Sequence, residues 1–459
     1  MDIISQFVKK WPQIKYEDLP GHVIEIVKCE IIDSLAAALG ASSADGIKQL
    51  LDVIDEWGGN RQSTIITGGI KCPAPDAALV NGTLIHALDY DDGCPATLVH
   101  IGCTAVSAGF SVAERAGGVT GKEFITSLVL GSDFINRLAL ASRPNGSITE
   151  SGWFPTALYG YLGSAAVAGR IMKLDREPML NALGIAYNQC AGNMQSIHDG
   201  VFAKAIAAGL AAKGGVTACI MAERGISGTR NCLEGKAGFY HVYHGGDYDP
   251  QILVKDLGER FETERIGFKP YPCCGQSHAA IYAALSLRSK YNIVLAEVQD
   301  ITVSLGDAAY ILCVPLQEKQ NPQTVIDAQF SLPWTVATAL VKGKVTLEDF
   351  TMTAIQKEEV LEVSRKVTGR LEPEFSTRNV GPSSVTIKLN TGQEYTQCVE
   401  FGPGSVENPM TFDDCVRKFR ECYPYSTCPV SAATADNIIE LVRNLEQLED
   451  AAQIIRLLG

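Results

Sequence analysis

From Leu19 to about Gly228 one helical segment follows another with no long strand between them, and these segments are apolar on most sides while rich in Gly and Ala. This feature constrains the fold more than any other. A helix that is apolar all round has to be buried, and Gly and Ala let neighbouring backbones approach closely. HVIEIVKCEIIDSLAAALGA places Val23, Ile26, Val27, Ile31 and Leu35 near one face and reaches a plausible stop at Gly40. The stretch from Ala96 to Ala113 carries no Asp, Glu, Lys or Arg and is about as long as a membrane span, yet it holds His100, Cys103, Ser, Thr and two Gly. Residues 151–169 read the same way. Both stretches fit the centre of a large helical domain better than lipid.

The texture changes near Arg265. Ile301–Leu305 alternates, and Ser384–Phe401 shows Val385, Ile387 and Leu389 alternating up to the turn-prone Asn390-Thr391-Gly392, after which a second strand-like run follows. HAAIYAALSLRSKY, SLPWTVATALVKGKVTLEDF and Glu358–Lys366 read as helices in the same region. The expected architecture is mainly α: a large all-α domain over 1–265, completed by 408–459, and a smaller α+β domain over 266–407.

Lys and Arg number 39 against 52 Asp and Glu, a net charge of −13, and no basic run occurs, which argues against a nucleic-acid partner. The first twenty residues lack the apolar run of a secretory signal and contain acids that a transit peptide avoids, so a cytoplasmic location is expected. The fourteen Cys stand as singles apart from Cys273-Cys274, with no C-x-x-C, and neither a disulfide framework nor a metal-ligand spacing is visible.

Three constellations carry chemistry. In H86-A-L-D-Y-D-D92 followed by His100, a helix would set His86, Asp89 and Asp92 on roughly one face and turn Asp91 elsewhere. The cluster suits either a divalent metal or a general acid/base His oriented by an Asp, and spacing does not choose between them. Lys204, flanked by Ala, Ile and Gly, is either a lysine snorkelling at a helix edge or an anion anchor, whereas Lys213 is the more ordinary surface lysine. G267-F-K-P-Y-P-C-C-G-Q-S-H278 makes a rigid loop entering a helix, with Lys269, Cys274 and His278 around a helix N-terminus that favours anions. His241 and His244 in a Gly-rich loop read as polar surface. Walker, dinucleotide-fold, nucleophile-elbow and kinase motifs are absent, which removes most support for nucleotide and serine-hydrolase chemistry.

AALVNGTLIHALDYDD, PATLVHIG, GWFPTALYGYLGSAA, LGIAYNQCAG, FAKAIAAGLAAKGG, FKPYPCCGQSHAAI and DAQFSLPWTVATAL, in this order, resemble the MmgE/PrpD family over about residues 5–455. The resemblance implies a homodimeric, metal-free and cofactor-free enzyme acting on a small di- or tricarboxylate, with the smaller α+β domain as its lid. The family includes 2-methylcitrate dehydratase, cis-aconitate decarboxylase and iminodisuccinate epimerase. Residue by residue, Asp89 and His100 match the family's acid and histidine, and Lys204 and Lys269 its two pocket lysines; with these catalytic candidates, His100 held by Asp89 would move the proton, and Lys204, Lys269, Cys274, His278 and His86 are the candidate substrate-binding residues. Phe154 stands where the family often has His, and Trp334 where the decarboxylases have Tyr. Neither side chain transfers protons. The implied activity is a lyase, dehydratase or decarboxylase, with an epimerase or an inactive carboxylate-binding homologue as alternatives.

Overall fold

Glycine and alanine set the distance at which the helices pass one another. In the computed structural model, which describes residues 2–142, 152–376 and 380–459, the chain forms two compact units: Met1–Ile266 with Thr411–Gly459, and Gly267–Met410. Ser151, the first residue of the apolar stretch 151–169, lies outside the described residues.

The first unit is built from α1 (Gly21–Gly40), α2 (Ala74–His86), α3 (Gly102–Ala116), α4 (Gly121–Ala141), α5 (Pro155–Ile171), α6 (Arg176–Tyr187) and α7 (Ala203–Glu223). Proline starts several of them where a missing N–H costs nothing: Pro155 opens α5, and α1 follows Pro20. Helix α7 packs against α2, α5 and α6. A Cβ on Gly209 of α7 would stand 2.1 Å from the Leu79 carbonyl oxygen of α2, and one on Gly82 would stand 2.7 Å from that of Cys103. Larger residues there would push the helices apart. The pairing is antiparallel, since Lys213 of α7 meets Asp76 near the start of α2 at 2.7 Å. The first turn of α7 therefore lies beside the end of α2.

Helices α4 and α7 are long and apolar enough to cross a membrane, but 94% and 61% of their most apolar windows are buried within the protein. The first value is what a core helix shows.

In the second unit α8 (His278–Lys290) and α9 (Leu332–Lys342) cover a four-stranded sheet of β1 (Val298–Leu305), β2 (Val367–Leu371), β3 (Ser383–Leu389) and β4 (Glu394–Val399), in the order β2-β1-β3-β4. β1 pairs parallel with β2 and antiparallel with β3, and β3 with β4 forms the hairpin around Asn390–Gly392. The alternation along β3 puts Val385, Ile387 and Leu389 in the core. Trp334 joins them at 1% exposure, 5.2 Å from the Phe350 ring. The chain then supplies α10 (Phe412–Cys422) and α11 (Ala432–Arg443) to the first unit, where α10 packs on α1. α10 opens with a capping box, Thr411 and Asp414 satisfying each other's backbone N–H groups.

Candidate active site

The helix expected through residues 86–92 stops at His86. Asp-Tyr-Asp-Asp-Gly is turn chemistry, and Asp89 takes a left-handed backbone with φ 53°, so the following side chains do not repeat every third or fourth residue. A short reversal in which Cys94 bridges Val99 brings the chain back to His100, just ahead of α3.

This geometry redistributes the expected roles. Asp89, expected to hold His100, accepts a hydrogen bond from Lys204 Nζ at 2.5 Å instead. The carboxylate beside His100 is Asp91, which a continuous helix would have turned away. His86 Nδ1 lies 2.8 Å from Asp91 Oδ2, and His100 Nδ1 lies 3.2 Å from Asp91 Oδ1. One carboxylate thus faces two imidazoles whose ring centres are 4.6 Å apart. Asp92 has a third task. Its two oxygens accept from the N–H groups of Ile101 and Gly102 at 3.2 and 2.9 Å, which caps α3 and seats His100 at the helix entrance. Thr156 of α5 accepts from the His100 N–H at 3.0 Å.

Burial separates the two histidines. His86 and Asp91 are wholly buried, while the His100 side chain keeps 16% of its surface exposed. His86, expected among the substrate-binding groups, offers no surface to a substrate. It is also neutral at pH 7, because burial pushes its pKa down to about 4 against the pull of Asp91. Its proton then belongs on Nδ1, donated to Asp91, and the buried Nε2 has no hydrogen-bond partner among the described residues. Burial would raise Asp91, but His100 and His86 outweigh it and hold that carboxyl well below the usual carboxylate range. Asp92 goes the other way, pushed well above that range by burial and by Asp91 and Asp33. Glu30 follows it through burial, Asp92 and Asp33. Neighbouring carboxyls with opposite shifts mark a site where proton positions are set by the fold.

His86, Asp91 and Cys103 bring possible metal-ligand atoms within 4.8 Å of one another, a grouping their spacing in the sequence does not reveal. Burial, with Asp91 and Asp92, pushes the Cys103 thiol well above its ordinary range, so the thiolate is disfavoured, and the His86 nitrogen nearest Asp91 already hydrogen-bonds to it. Phe154 stacks on His86 with ring centres 5.8 Å apart. It shields the buried imidazole and supplies no proton.

In the second unit Lys269, 9% exposed, precedes a loop held by the Cys274 N–H on the Gln329 carbonyl at 3.0 Å. His278 donates from Nε2 to the Cys273 carbonyl at 3.2 Å and meets the Tyr271 ring edge-on. That contact makes His278 a brace of the loop as well as the first residue of α8. His244, expected in a loop on the surface, is 2% exposed and lies 3.2 Å from the Tyr159 hydroxyl, because Phe239–His244 forms a short helix whose last residue packs in an aromatic cluster with Phe239 and Tyr240.

The helical unit thus carries two imidazoles against one buried carboxylate, with a lysine–aspartate pair on the adjoining turn. Residues 4–251 match the MmgE/PrpD N-terminal domain and residues 271–447 the MmgE/PrpD C-terminal domain, and the chain belongs to the MmgE/PrpD family. It is 26% identical to a cis-aconitate decarboxylase of Aspergillus terreus over 96% of this chain and 93% of the relative. It is 25% identical to the human cis-aconitate decarboxylase over 99% of this chain and 94% of the relative, and 24% identical to the mouse one over 97% and 91%.

Proposed function

We propose that this protein is a metal-independent lyase that decarboxylates a small unsaturated di- or tricarboxylate of the cis-aconitate type. The observation that carries the reading is the partly exposed imidazole of the pair, His100, beside the buried Asp91 carboxylate. Loss of carbon dioxide leaves an electron pair on carbon next to a remaining carboxylate, and that carbon needs one proton. His100, with Nδ1 turned to Asp91, presents Nε2 for the transfer, and Asp91 stabilises the imidazolium before it gives up its proton. Lys204 supplies positive charge for a carboxylate, and the family resemblance adds Lys269 as a second carboxylate-binding lysine. Dehydration would need a second acid for the departing hydroxyl, and Phe154 cannot provide one. The names of the relatives support the same choice.

Epimerisation of an aspartate- or succinate-derived acid is the second reading, since it too needs only proton transfers beside a carboxylate. NMR in D₂O with cis-aconitate, citrate-like acids and aspartate-derived acids separates them. Decarboxylation releases carbon dioxide and leaves one deuterium at the new C–H position. Deuterium exchange with inversion and no carbon dioxide would establish the epimerase, and no exchange with any acid would leave a binding protein. A cytoplasmic homodimer is part of the same proposal.

A further inference from the structure

Asp33, Tyr90 and Lys418 meet inside the first unit, and none of them has a part in the proton transfer above. Asp33 lies on α1 and Lys418 on α10, 385 residues apart in sequence, with side chains 0% and 3% exposed. Lys418 Nζ donates to Asp33 Oδ1 at 2.6 Å and to the backbone carbonyl of Tyr90, and it stands 3.9 Å from the centre of the Tyr90 ring. An ammonium group has three N–H donors and no acceptor, so two of them are accounted for by these bonds.

A buried ion pair is weak evidence for stability, because apolar residues of similar volume often serve as well. The contact with Tyr90 gives this one a different meaning. Tyr90 is the residue between Asp89 and Asp91, and its peptide carbonyl reports directly on how those two carboxylates point. The preceding backbone is in the left-handed region at Asp89, φ 53°, a conformation that persists in a non-glycine residue when the surroundings hold it. Lys418 also balances Asp33, whose charge bears on Asp92 and Glu30. With the segment fixed at Tyr90, Asp89 faces Lys204 and Asp91 faces the two imidazoles.

We infer that Lys418 is a positioning residue for the acid–base cluster, acting through the Tyr90 carbonyl. The inference rests on the proton-transfer role assigned to His100 and Asp91. Two double variants test it. Asp33→Asn with Lys418→Met removes both charges and the donor, whereas Asp33→Asn with Lys418→Gln removes both charges and keeps a donor. The Met pair is expected to keep KM within about threefold while kcat falls roughly 10- to 100-fold, the scale of a small misplacement of reacting groups. Its kcat/KM–pH profile should shift, and the Gln pair should recover a large part of the rate. Equal rates in the two pairs, or a loss of thermal stability with an unmoved pH profile, would overturn the inference.

If the Met pair does not fold, Asp33→Asn alone decides. Its loss of the Asp33 charge moves the pH profile, but it keeps the Lys418 donor at the Tyr90 carbonyl, so kcat at the optimum should stay within about threefold of wild type, and a 10- to 100-fold fall would refute the assignment. The imidazole ¹⁵N titration of His100, recorded without substrate, makes the test independent of turnover. A wild-type protein inactive on every acid tried would end the proposed function. A His100 titration the same in Asp33→Asn and in the folded variants that also replace Lys418 would end the role of Lys418.

Discussion

His86 and Asp91 are joined by a 2.8 Å hydrogen bond between two side chains that are both wholly buried, and the other oxygen of the same carboxylate lies 3.2 Å from Nδ1 of His100. The pair explains why one imidazole is available for chemistry and the other is not. His86 is kept neutral by burial, and its hydrogen bond fixes the direction in which Asp91 points toward His100.

A stability signature follows. The folded pKa of His86 is lowered to about 4 from an ordinary value near 6.5, so between those values the unfolded chain binds the extra proton. Stability contributed by this residue is complete above about pH 6.5 and is lost as pH falls toward 4, by about 3 kcal/mol in all. Glu30 and Asp92 act with the opposite sign, because their raised pKa values make the folded state hold protons at mildly acidic pH. Urea unfolding of wild type and His86→Gln at several pH values isolates the histidine. The gap between them should change by that amount across the window, and a constant gap would contradict the shift.

Lys204 and Asp89 form an ion pair, and the proposed function has substrate compete with Asp89 for the ammonium. Lys204→Met removes the ammonium and leaves Asp89, with 7% of its side chain exposed, to repel an anionic substrate. KM is expected to rise roughly ten- to hundredfold, the worth of a charge-assisted hydrogen bond of about 1.5–3 kcal/mol. Asp89→Asn should fold, since Asn tolerates the left-handed backbone, and should leave KM unchanged or lower because Lys204 is freed. A large KM increase in Asp89→Asn would show that the pair works as a unit. Lys269→Ala is expected to raise KM on the same scale as Lys204→Met, and near-native kinetics would return that lysine to a packing role.

Activity is expected to survive exhaustive treatment with EDTA. The burial that pushes the Cys103 thiol up, the His86–Asp91 hydrogen bond and the family resemblance motivate this expectation. Activity that disappeared and returned with Mg²⁺ or Zn²⁺ would reassign His86, Asp91 and Cys103 as ligands.

Light scattering at micromolar concentration is expected to give a mass twice that of the 49.3 kDa chain. A monomer mass would contradict the dimer that the family resemblance implies.

The mainly α character is legible in the sequence because apolar residues recur at helical spacing and Gly and Ala sit where helices touch. Val385, Ile387 and Leu389 announce β3 in the same direct way. Val367–Leu371 does not announce itself: it directly follows a helix, and Gly369 interrupts it where a Cβ would meet Cys313 Sγ at 2.7 Å. The site is legible as a set of residue types, His86, Asp89 and His100 among them, but not as a set of partners. Exchanging Asp89 for Asp91 follows from one left-handed residue, and the turn-forming run ending in Gly93 was the signal available for it. Asp33 and Lys418 carry no local signal at all, because their pairing depends on α10 packing on α1.

The central claim is that His100, backed by Asp91, delivers the proton to carbon. His100→Gln keeps hydrogen-bonding capacity and approximate volume but carries no proton at neutral pH. The measurement is the rate of deuterium incorporation from D₂O into product by this variant, alongside wild type at saturating substrate. The account expects normal folding, nearly unchanged KM and a rate lower by about 10²–10⁴, the usual worth of general acid/base catalysis. A rate within a few-fold of wild type, with only thermal stability reduced, would make His100 a structural histidine and contradict the account.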